Sequence, residues 1–336
     1  MRGVDVASLR IAVIGTGVIG GSILLRLRDK GFDVKGWDPD GATANRAWML
    51  GLPFAHSLEE ALAGRDLAFL AAPLMALPGS VAEVAKASDK GCVLTDVGGS
   101  KQGIAEQAAR YGARKRFVPG HPLVQTSGVG LWAASPSLLD SCTWVLCPSG
   151  EALEAYHRVA ALLIGAFGAR IVPATLTLHD VVLALASAVP RVPVSVEKAG
   201  ALARNRMRAA VLGVTVSGSL GAGRVTGTPH QWATDLDLES RRSLRARLTM
   251  VRETLDELTA ALDDEERGTR LLTEARLVRR KLEERSLVAR QAGFEAEDNA
   301  AELEFLTALG ASGGYLTQCE IGVSRVTYTA LHTPGG

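Results

Sequence analysis

The first 150 residues alternate short apolar runs with segments whose apolar residues recur at helical spacing. The pattern predicts strands over Arg10–Ile14, Asp33–Trp37, Leu67–Ala71, Val93–Asp96, Phe117–Pro119 and Thr143–Cys147, and helices over Gly20–Lys30, Ala42–Met49, Leu58–Ala63, Val81–Ala87 and Gly103–Tyr111. Strict alternation of strand and helix is typical of a parallel sheet covered by helices on both faces. We therefore expect an α/β fold with a doubly wound parallel sheet.

The pattern changes after Pro148. It predicts a helix over 151–168, a short strand over 169–172, and an almost wholly helical stretch up to about residue 293. An apolar seam at helical spacing runs through Leu244, Leu248, Val251, Leu255, Leu258 and Leu262, and again through Leu271, Ala275, Val278 and Leu282. Such a seam forms either an intrachain core or a subunit interface, and periodicity does not separate the two.

These changes divide the chain into three predicted parts. Residues 1–150 form the dinucleotide-binding domain, 151–295 a mostly α-helical domain for substrate and dimerisation, and 296–336 a C-terminal extension whose role the sequence does not show. The stretch 315–331 is rich in Thr, Val, Tyr and Ile with partial alternation, which indicates a strand or a hairpin.

Composition narrows the function classes. The chain has 336 residues, of which 47% are hydrophobic and 22% charged, with a net charge of +1. This balance gives no reason to expect a nucleic-acid partner, and no apolar run is long enough to predict a membrane span. The four cysteines form no C-x-x-C motif, so we expect free thiols in a cytoplasmic protein and no metal site.

The strongest motif lies at the first strand. An apolar run leads directly into G-x-G-x-x-G, and a helical pattern follows. Glycines permit a tight turn and close approach of backbone N–H groups to a pyrophosphate, which the helix N-terminus also attracts. The motif predicts a Rossmann-type sheet and assigns cofactor contacts to Gly15, Thr16, Gly17, Val18, Ile19 and Gly20.

An acidic residue follows the second predicted strand. Asp38 lies about 20 residues beyond the glycines, where this fold places a ribose hydroxyl contact. A carboxylate there accepts hydrogen bonds from the ribose and repels a 2′-phosphate, which predicts NAD rather than NADP. Later strand ends add Ala72, Pro73 and Asp96 to the predicted cofactor site.

Four blocks in order resemble the prephenate/arogenate dehydrogenases of tyrosine biosynthesis. Besides the fingerprint, Asp96-Val97-Gly98-Gly99-Ser100-Lys101 is similar to that family's D-V-G-S-x-K, and Gly120-His121-Pro122-Leu123 is similar to G-x-H-P-M-A-G. His179-Asp180 with Ser187 is similar to H-D-x-x-x-A-x-x-S-H-L-P-H, and the segment around Arg224 is similar to T-R-I-A. The resemblance extends over about residues 9–265.

The resemblance implies a reaction and a set of roles. Members oxidise C4 of a cyclohexadiene that carries a ring carboxylate, with hydride transfer to NAD, loss of CO2 and aromatisation. His121 then corresponds to the catalytic base and Arg224 to the ligand of a substrate carboxylate, while Ser100 is a candidate contact to the nicotinamide or to His121. A small anionic cyclic substrate and a homodimer are expected on the same basis.

The departures from the family pattern concern the predicted substrate pocket. Gln125 stands where the family has a glycine, and the S-H-L-P-H block reads Ser187-Ala188-Val189-Pro190-Arg191, without either histidine. We expect a rebuilt pocket in which Gln125, His179, Ser187 and Arg191 contact the substrate. Prephenate, arogenate, 4-amino-4-deoxyprephenate and a relative from specialised metabolism all remain open.

Two other interpretations remain open. A β-hydroxyacid or imine-type dehydrogenase would place a lysine on a long helix, and Lys198 is its candidate. A non-catalytic NAD-binding regulator would explain the altered S-H-L-P-H block, although the presence of His121 argues against it.

Overall fold

The computed structural model describes residues 6–73, 75–124, 126, 128–183 and 287–332, with isolated helical or loop positions between 249 and 273. By their contacts, Met1–Asp180 and Ala289–His332 form one compact unit, and Val181–Val288 belong to a second. The apolar seam residues and the predicted site residues Gln125, Ser187, Lys198, Arg191 and Arg224 lie outside the described residues. The predicted domain boundaries at residues 150 and 295 stay a prediction.

The first unit contains two sheets. Its strands are β1 (Arg10–Ile14), β2 (Asp33–Trp37), β3 (Leu67–Leu70), β4 (Val93–Asp96), β5 (Phe117–Val118), β6 (Gly120–Leu123), β7 (Thr143–Leu146), β8 (Arg170–Pro173), β9 (Val288–Glu295), β10 (Tyr315–Ile321) and β11 (Arg325–His332). The helices are α1 (Val18–Asp29), α2 (Gly41–Met49), α3 (Leu58–Leu62), α4 (Leu77–Ala87), α5 (Gln102–Arg110), α6 (Leu153–Phe167), α7 (Leu176–Leu183) and α8 (Asn299–Ala311).

The first sheet is parallel, in the order β2-β1-β3-β4-β5. The chain order reverses between β1 and β3, so the carboxyl ends of these strands flank the point where such sheets bind their ligands. β1 is buried on both faces: Ile11 and Val13 face one apolar core, while Ala12 and Ile14 face the other. The predicted doubly wound Rossmann-type sheet is confirmed.

The second sheet has the order β6-β7-β8-β10-β11-β9. β6 pairs antiparallel with β7, and β7 pairs parallel with β8. Because β6 follows β5 after Pro119 alone, the chain passes from the first sheet to the second within a few residues. His121 lies on this strand, opposite Val145.

The C-terminal segment joins the second sheet. β10 and β11 form the hairpin that was one of the two alternatives for 315–331, and β10 contacts β8 through Leu316 and Ile171. The expectation of helix up to about residue 293 is wrong at its end, because β9 begins at Val288. β9 is largely exposed, so its residues carry no alternation of apolar and polar faces to indicate a strand.

Candidate active site

The glycine-rich loop has the geometry that a bound pyrophosphate requires. Gly15 has φ +87°, and a Cβ there would lie 2.8 Å from the carbonyl carbon of Ala71. A Cβ on Gly20 would lie 1.9 Å from the Gly15 carbonyl oxygen, so the turn closes only with hydrogen at both positions. Gly17, in contrast, faces open space. It is the N-cap of α1 and provides no side-chain cap, which leaves the first N–H groups of the helix to a ligand.

The end of β2 holds this loop from the other side. Asp38 Oδ2 accepts hydrogen bonds from the Thr16 backbone N–H at 2.7 Å and the Thr16 hydroxyl at 3.3 Å. Its Oδ1 accepts from the Asp40 N–H at 3.0 Å. Asp38 is half-buried, and its position beside the loop fits a ribose contact. Ala72 lies against Gly15, and Pro73 follows it, as expected for the loop after β3.

The strand switch around Gly120 is held by buried charges. Asp96 ends β4, and its carboxylate accepts hydrogen bonds from the N–H groups of Gly98 at 2.9 Å and Gly120 at 3.1 Å. It also forms an ion pair with the Lys101 ammonium, and Lys101 Nζ donates to the Gly120 carbonyl at 2.7 Å. Asp96 and Lys101 are both fully buried. A Cβ on Gly120 would lie 2.8 Å from the Asp96 carbonyl oxygen, which explains the glycine before His121.

His121 continues this arrangement towards α7. Its Nδ1 lies 3.0 Å from Nε2 of His179, and Nδ1 of His179 lies 2.8 Å from Oδ1 of Asp180. The Asp180 carboxylate also accepts hydrogen bonds from the backbone N–H groups of Lys101 at 2.9 Å and Gln102 at 3.1 Å. His121 is half-buried, whereas His179 is buried with both ring nitrogens engaged.

The electrostatics favour neutral His121. Burial, the Lys101 charge and His179 together lower the pKa of His121 to about 3, from an ordinary value of 6.5. Burial alone would raise the pKa of Asp180, but hydrogen bonds from His179 and two backbone N–H groups lower it below its usual range. The site therefore combines an uncharged imidazole with an ionised carboxylate. A neutral imidazole has a nitrogen lone pair that can accept a proton, but the lowered pKa makes this imidazole a weaker base than an ordinary histidine.

The connection between β6 and β7 packs against α1 and brings the two halves of the site together. The Ser22 hydroxyl accepts a hydrogen bond from the Ser135 N–H at 3.0 Å. A Cβ on Gly21 would lie 2.7 Å from Leu131, so this connection lies directly on the first turns of the helix. The connection that follows the His121 strand is thus anchored on the first turns of α1, directly after the glycine-rich loop.

Part of the chain is similar to known proteins. Residues 23–172 match the family model of the prephenate dehydrogenase nucleotide-binding domain. The chain is 35% identical over 185 residues to the probable prephenate dehydrogenase NovF of Streptomyces niveus. The aligned region covers 54% of this chain and 49% of NovF. It spans about half the length of the curated relatives that it matches.

Two solved structures share the fold over most of the chain. The A. aeolicus prephenate dehydrogenase in complex with hydroxyphenyl propionate and NAD+ has a TM-score of 0.68 at 19% identity, covering 83% of this chain and all of that one. The Synechocystis arogenate dehydrogenase has a TM-score of 0.67 at 22% identity, covering 82% of this chain and all of that one. Residues 23–172 thus resemble the nucleotide-binding domain of the prephenate dehydrogenases, and the fold is shared with solved prephenate and arogenate dehydrogenases. The predicted resemblance and the predicted fold are confirmed.

The structure assigns internal partners to several of the predicted site residues. Asp96, predicted as a cofactor contact, uses its carboxylate on Gly98, Gly120 and Lys101. His179, predicted as a substrate contact, has no ring nitrogen left for one. Among the described residues, no hydrogen bond joins Ser100 to His121, so its catalytic role stays a prediction.

Sequence reasoning missed Lys101 and Asp180 as parts of the site. The available signal was that Lys101 ends the D-V-G-G-S-K block, five residues after a strand-end aspartate, whereas its complete burial is a finding of the structure. Asp180 lies in the second turn of α7, and its carboxylate accepts hydrogen bonds from the N–H groups at the start of α5 instead of its own helix. Its bonds to the N–H groups that begin α5 span 79 and 78 residues of sequence, and no local pattern indicates them.

Three further features of the described residues do not extend the site. No described helix is long and apolar enough to cross a membrane. Within the same residues, no cluster of His, Cys, Asp and Glu has the arrangement of a metal site. All four cysteines are free, and Cys92 and Cys147 are buried.

Proposed function

We propose that this chain is an NAD-dependent dehydrogenase that oxidises the C4 hydroxyl of a cyclohexadienyl carboxylate, with loss of CO2 and formation of an aromatic ring. The observation that carries the proposal is the half-buried, neutral imidazole of His121, held beside the loop of a dinucleotide-binding fold. The A. aeolicus prephenate dehydrogenase, which was solved in complex with NAD+ and hydroxyphenyl propionate, supports the choice of ligands.

The residues around the loop fit NAD. The open space at Gly17 and the uncapped start of α1 suit a pyrophosphate, and Asp38 suits a ribose with a free 2′-hydroxyl. When bound, NAD supplies the hydride acceptor for the reaction. The protein supplies orientation and a base.

His121 performs the proton transfer. The C4 hydroxyl gives its proton to the imidazole while C4 loses hydride, and C4 becomes a carbonyl carbon. Release of CO2 from the ring carboxylate returns an electron pair to the ring, which becomes a phenol once the carbonyl oxygen takes up a proton. A positioned base of this kind contributes about 10²- to 10⁴-fold in rate.

The proposal names the class of the substrate, a cyclohexadienyl carboxylate. Arg224, together with Arg191, Gln125 and Ser187, is proposed to contact its carboxylates and ring, since a guanidinium fork suits a carboxylate. Prephenate, arogenate and 4-amino-4-deoxyprephenate differ at the side chain and at C4, and the altered residues of the S-H-L-P-H block favour a substrate other than the family's ordinary one. Homodimerisation and a cytoplasmic location are proposed on the same family basis.

A spectrophotometric panel tests the proposal. The enzyme is mixed with NAD and each of the three cyclohexadienyl compounds, and absorbance is followed at about 340 nm, where the reduced nicotinamide absorbs. We expect NAD reduction with one of them, accompanied by release of CO2. Measurable NAD binding with no reduction by any compound would instead favour a regulator, and turnover that depends on Lys198 rather than His121 would favour the imine-type chemistry.

A further inference from the structure

A line of three side chains leads from the reacting edge of His121 into the protein. His121, His179 and Asp180 are joined by contacts of 3.0 and 2.8 Å, and His179 is 4% exposed. Asp180 is held by two backbone N–H groups at the start of α5. The inner end of the line is therefore anchored, and the outer end is the imidazole that the proposed function uses.

The chemistry of the groups determines the direction of the hydrogen bonds. Asp180 is ionised and only accepts, so Nδ1 of His179 carries a hydrogen and donates it. In a neutral His179, Nε2 is then the acceptor, and Nδ1 of His121 donates to it. Nε2 of His121 is left without hydrogen and with its lone pair available.

Among the described residues, His179 is the side chain that hydrogen-bonds the imidazole of His121. Gly99, which lies in the D-V-G-G-S-K block, has no side chain that could do so. The Lys101 ammonium, which helps to keep His121 neutral, lies on Asp96 and the Gly120 carbonyl instead. The tautomer of His121 therefore depends on His179 and Asp180.

Lys101 contacts both ends of the chain of hydrogen bonds formed by His121, His179 and Asp180. Its backbone N–H holds Asp180, and its side chain holds Gly120, the residue before His121. Movement of α7 relative to β6 is thus resisted at one residue, and the distance between the two imidazoles is set by the same contacts.

We propose that His179 and Asp180 are positioning residues, which fix His121 as the Nδ1–H tautomer and present Nε2 to the substrate hydroxyl. They also stabilise the imidazolium that forms when His121 takes the proton, because the Asp180 charge acts through His179. The kinetic consequence rests on the proposed function, whereas the tautomer is a property of the protein alone.

The first test needs no substrate. Imidazole nitrogens of the ¹⁵N-histidine-labelled protein are assigned by comparison with His121→Gln and His179→Gln, and the tautomer of His121 is read from their chemical shifts at pH 7. We expect hydrogen on Nδ1 and none on Nε2. Asp180→Asn should reduce this population, since the asparagine amide can donate to His179 and reverse the chain of hydrogen bonds. Hydrogen on Nε2 of His121 in the unaltered protein would overturn the proposal.

The second test uses turnover with NAD and the compound that the panel identifies. Asp180→Asn should lower kcat about 100-fold, as expected for a misdirected base, with KM and NAD affinity within about twofold. His179→Gln should retain more activity than His179→Leu, because only glutamine offers a carbonyl oxygen to Nδ1 of His121. His56→Gln, at an exposed histidine outside the site, is the matched control.

The tautomer measurement and the kinetic measurement distinguish the positioning role from the proposed dehydrogenase activity. If no compound is oxidised but His121 has the expected tautomer, the proposed function fails and the positioning role stands. Equal kcat in Asp180→Asn and the unaltered enzyme, with an unchanged tautomer, would overturn the positioning role while the dehydrogenase activity remains.

Discussion

Two histidine–carboxylate pairs lie among the residues that the structure describes, and their surroundings differ. Beside the second sheet, Nε2 of His157 lies 2.7 Å from Oε1 of Glu302, which also accepts a hydrogen bond from the Tyr328 hydroxyl at 2.6 Å. All three are buried in the core formed by α6, α8 and β11. In the site, the His179–Asp180 pair instead ends on His121, which is half-buried.

We infer from this comparison that such a pair either stabilises the fold or positions a reacting group, according to what the second ring nitrogen of its histidine meets. Burial raises the pKa of Tyr328 well above its usual value, so its hydroxyl stays a donor to Glu302. Nδ1 of His157 is buried and has no hydrogen-bond partner among the described residues. The His157 cluster therefore joins the C-terminal segment to α6, whereas the His179 pair orients a side chain that reaches the surface of the site.

The largest expected effect is on His121. His121→Gln should lower kcat by about 10²- to 10⁴-fold, because the reaction loses its base. NAD affinity and the melting temperature should change little, since Asp38 and the glycine loop do not contact this ring. Steady-state kinetics and a thermal melt measure both quantities. Retention of more than a tenth of kcat would contradict the assignment.

The matching change in the other cluster should affect stability instead. Glu302→Ala leaves His157 and the Tyr328 hydroxyl without their buried partner, which costs about 3–5 kcal/mol of unfolding free energy. Turnover per folded molecule should stay within about twofold. Urea unfolding and kinetics on the folded fraction check the two parts. A large loss of kcat without loss of stability would show that the clamp takes part in the reaction.

The nucleotide half offers a smaller and more local test. Asp38→Ala should weaken NAD binding by about 10- to 100-fold, because the ribose loses hydrogen bonds to a charged group. The same change should reduce the preference of the protein for NAD over NADP. Asp40→Ala is a matched control, because Asp40 accepts the Thr43 N–H at 2.9 Å and caps α2. It should cost about 1 kcal/mol of stability and leave NAD affinity unchanged. Titration of both cofactors by calorimetry measures the difference.

The smallest effect is the pH dependence of stability. Since folding lowers the pKa of His121 from 6.5 to about 3, the unfolded chain binds a proton in this range that the folded chain does not. Stability should therefore fall as the pH is lowered from about 6.5 towards 3, and less steeply in His121→Gln. Among the described residues, the charged and titratable groups that act on His121 are Lys101, His179 and Asp180. An equal slope in both proteins, by urea unfolding at several pH values, would contradict a neutral His121.

The same contrast explains what the sequence could predict. The bounds of β1, β2 and β4 agree with the expected strands. β1 and β4 are buried on both faces, β2 alternates buried and partly buried positions, and glycine or aspartate lies at or just after each strand end. β9 and α8 were not predicted, because β9 is exposed and its place depends on pairing with β11. His121 was found through its motif. Its supporting residues were not, because Lys101 and Asp180 meet across 79 residues.

A crystal structure of the complex with NAD and hydroxyphenyl propionate tests the central claim most directly. The account predicts Nε2 of His121 within about 2.6–3.2 Å of the ring hydroxyl, and the cofactor pyrophosphate on the N–H groups at the start of α1. A ligand ring bound away from His121, or an imidazole whose Nε2 is turned into the protein, would contradict it.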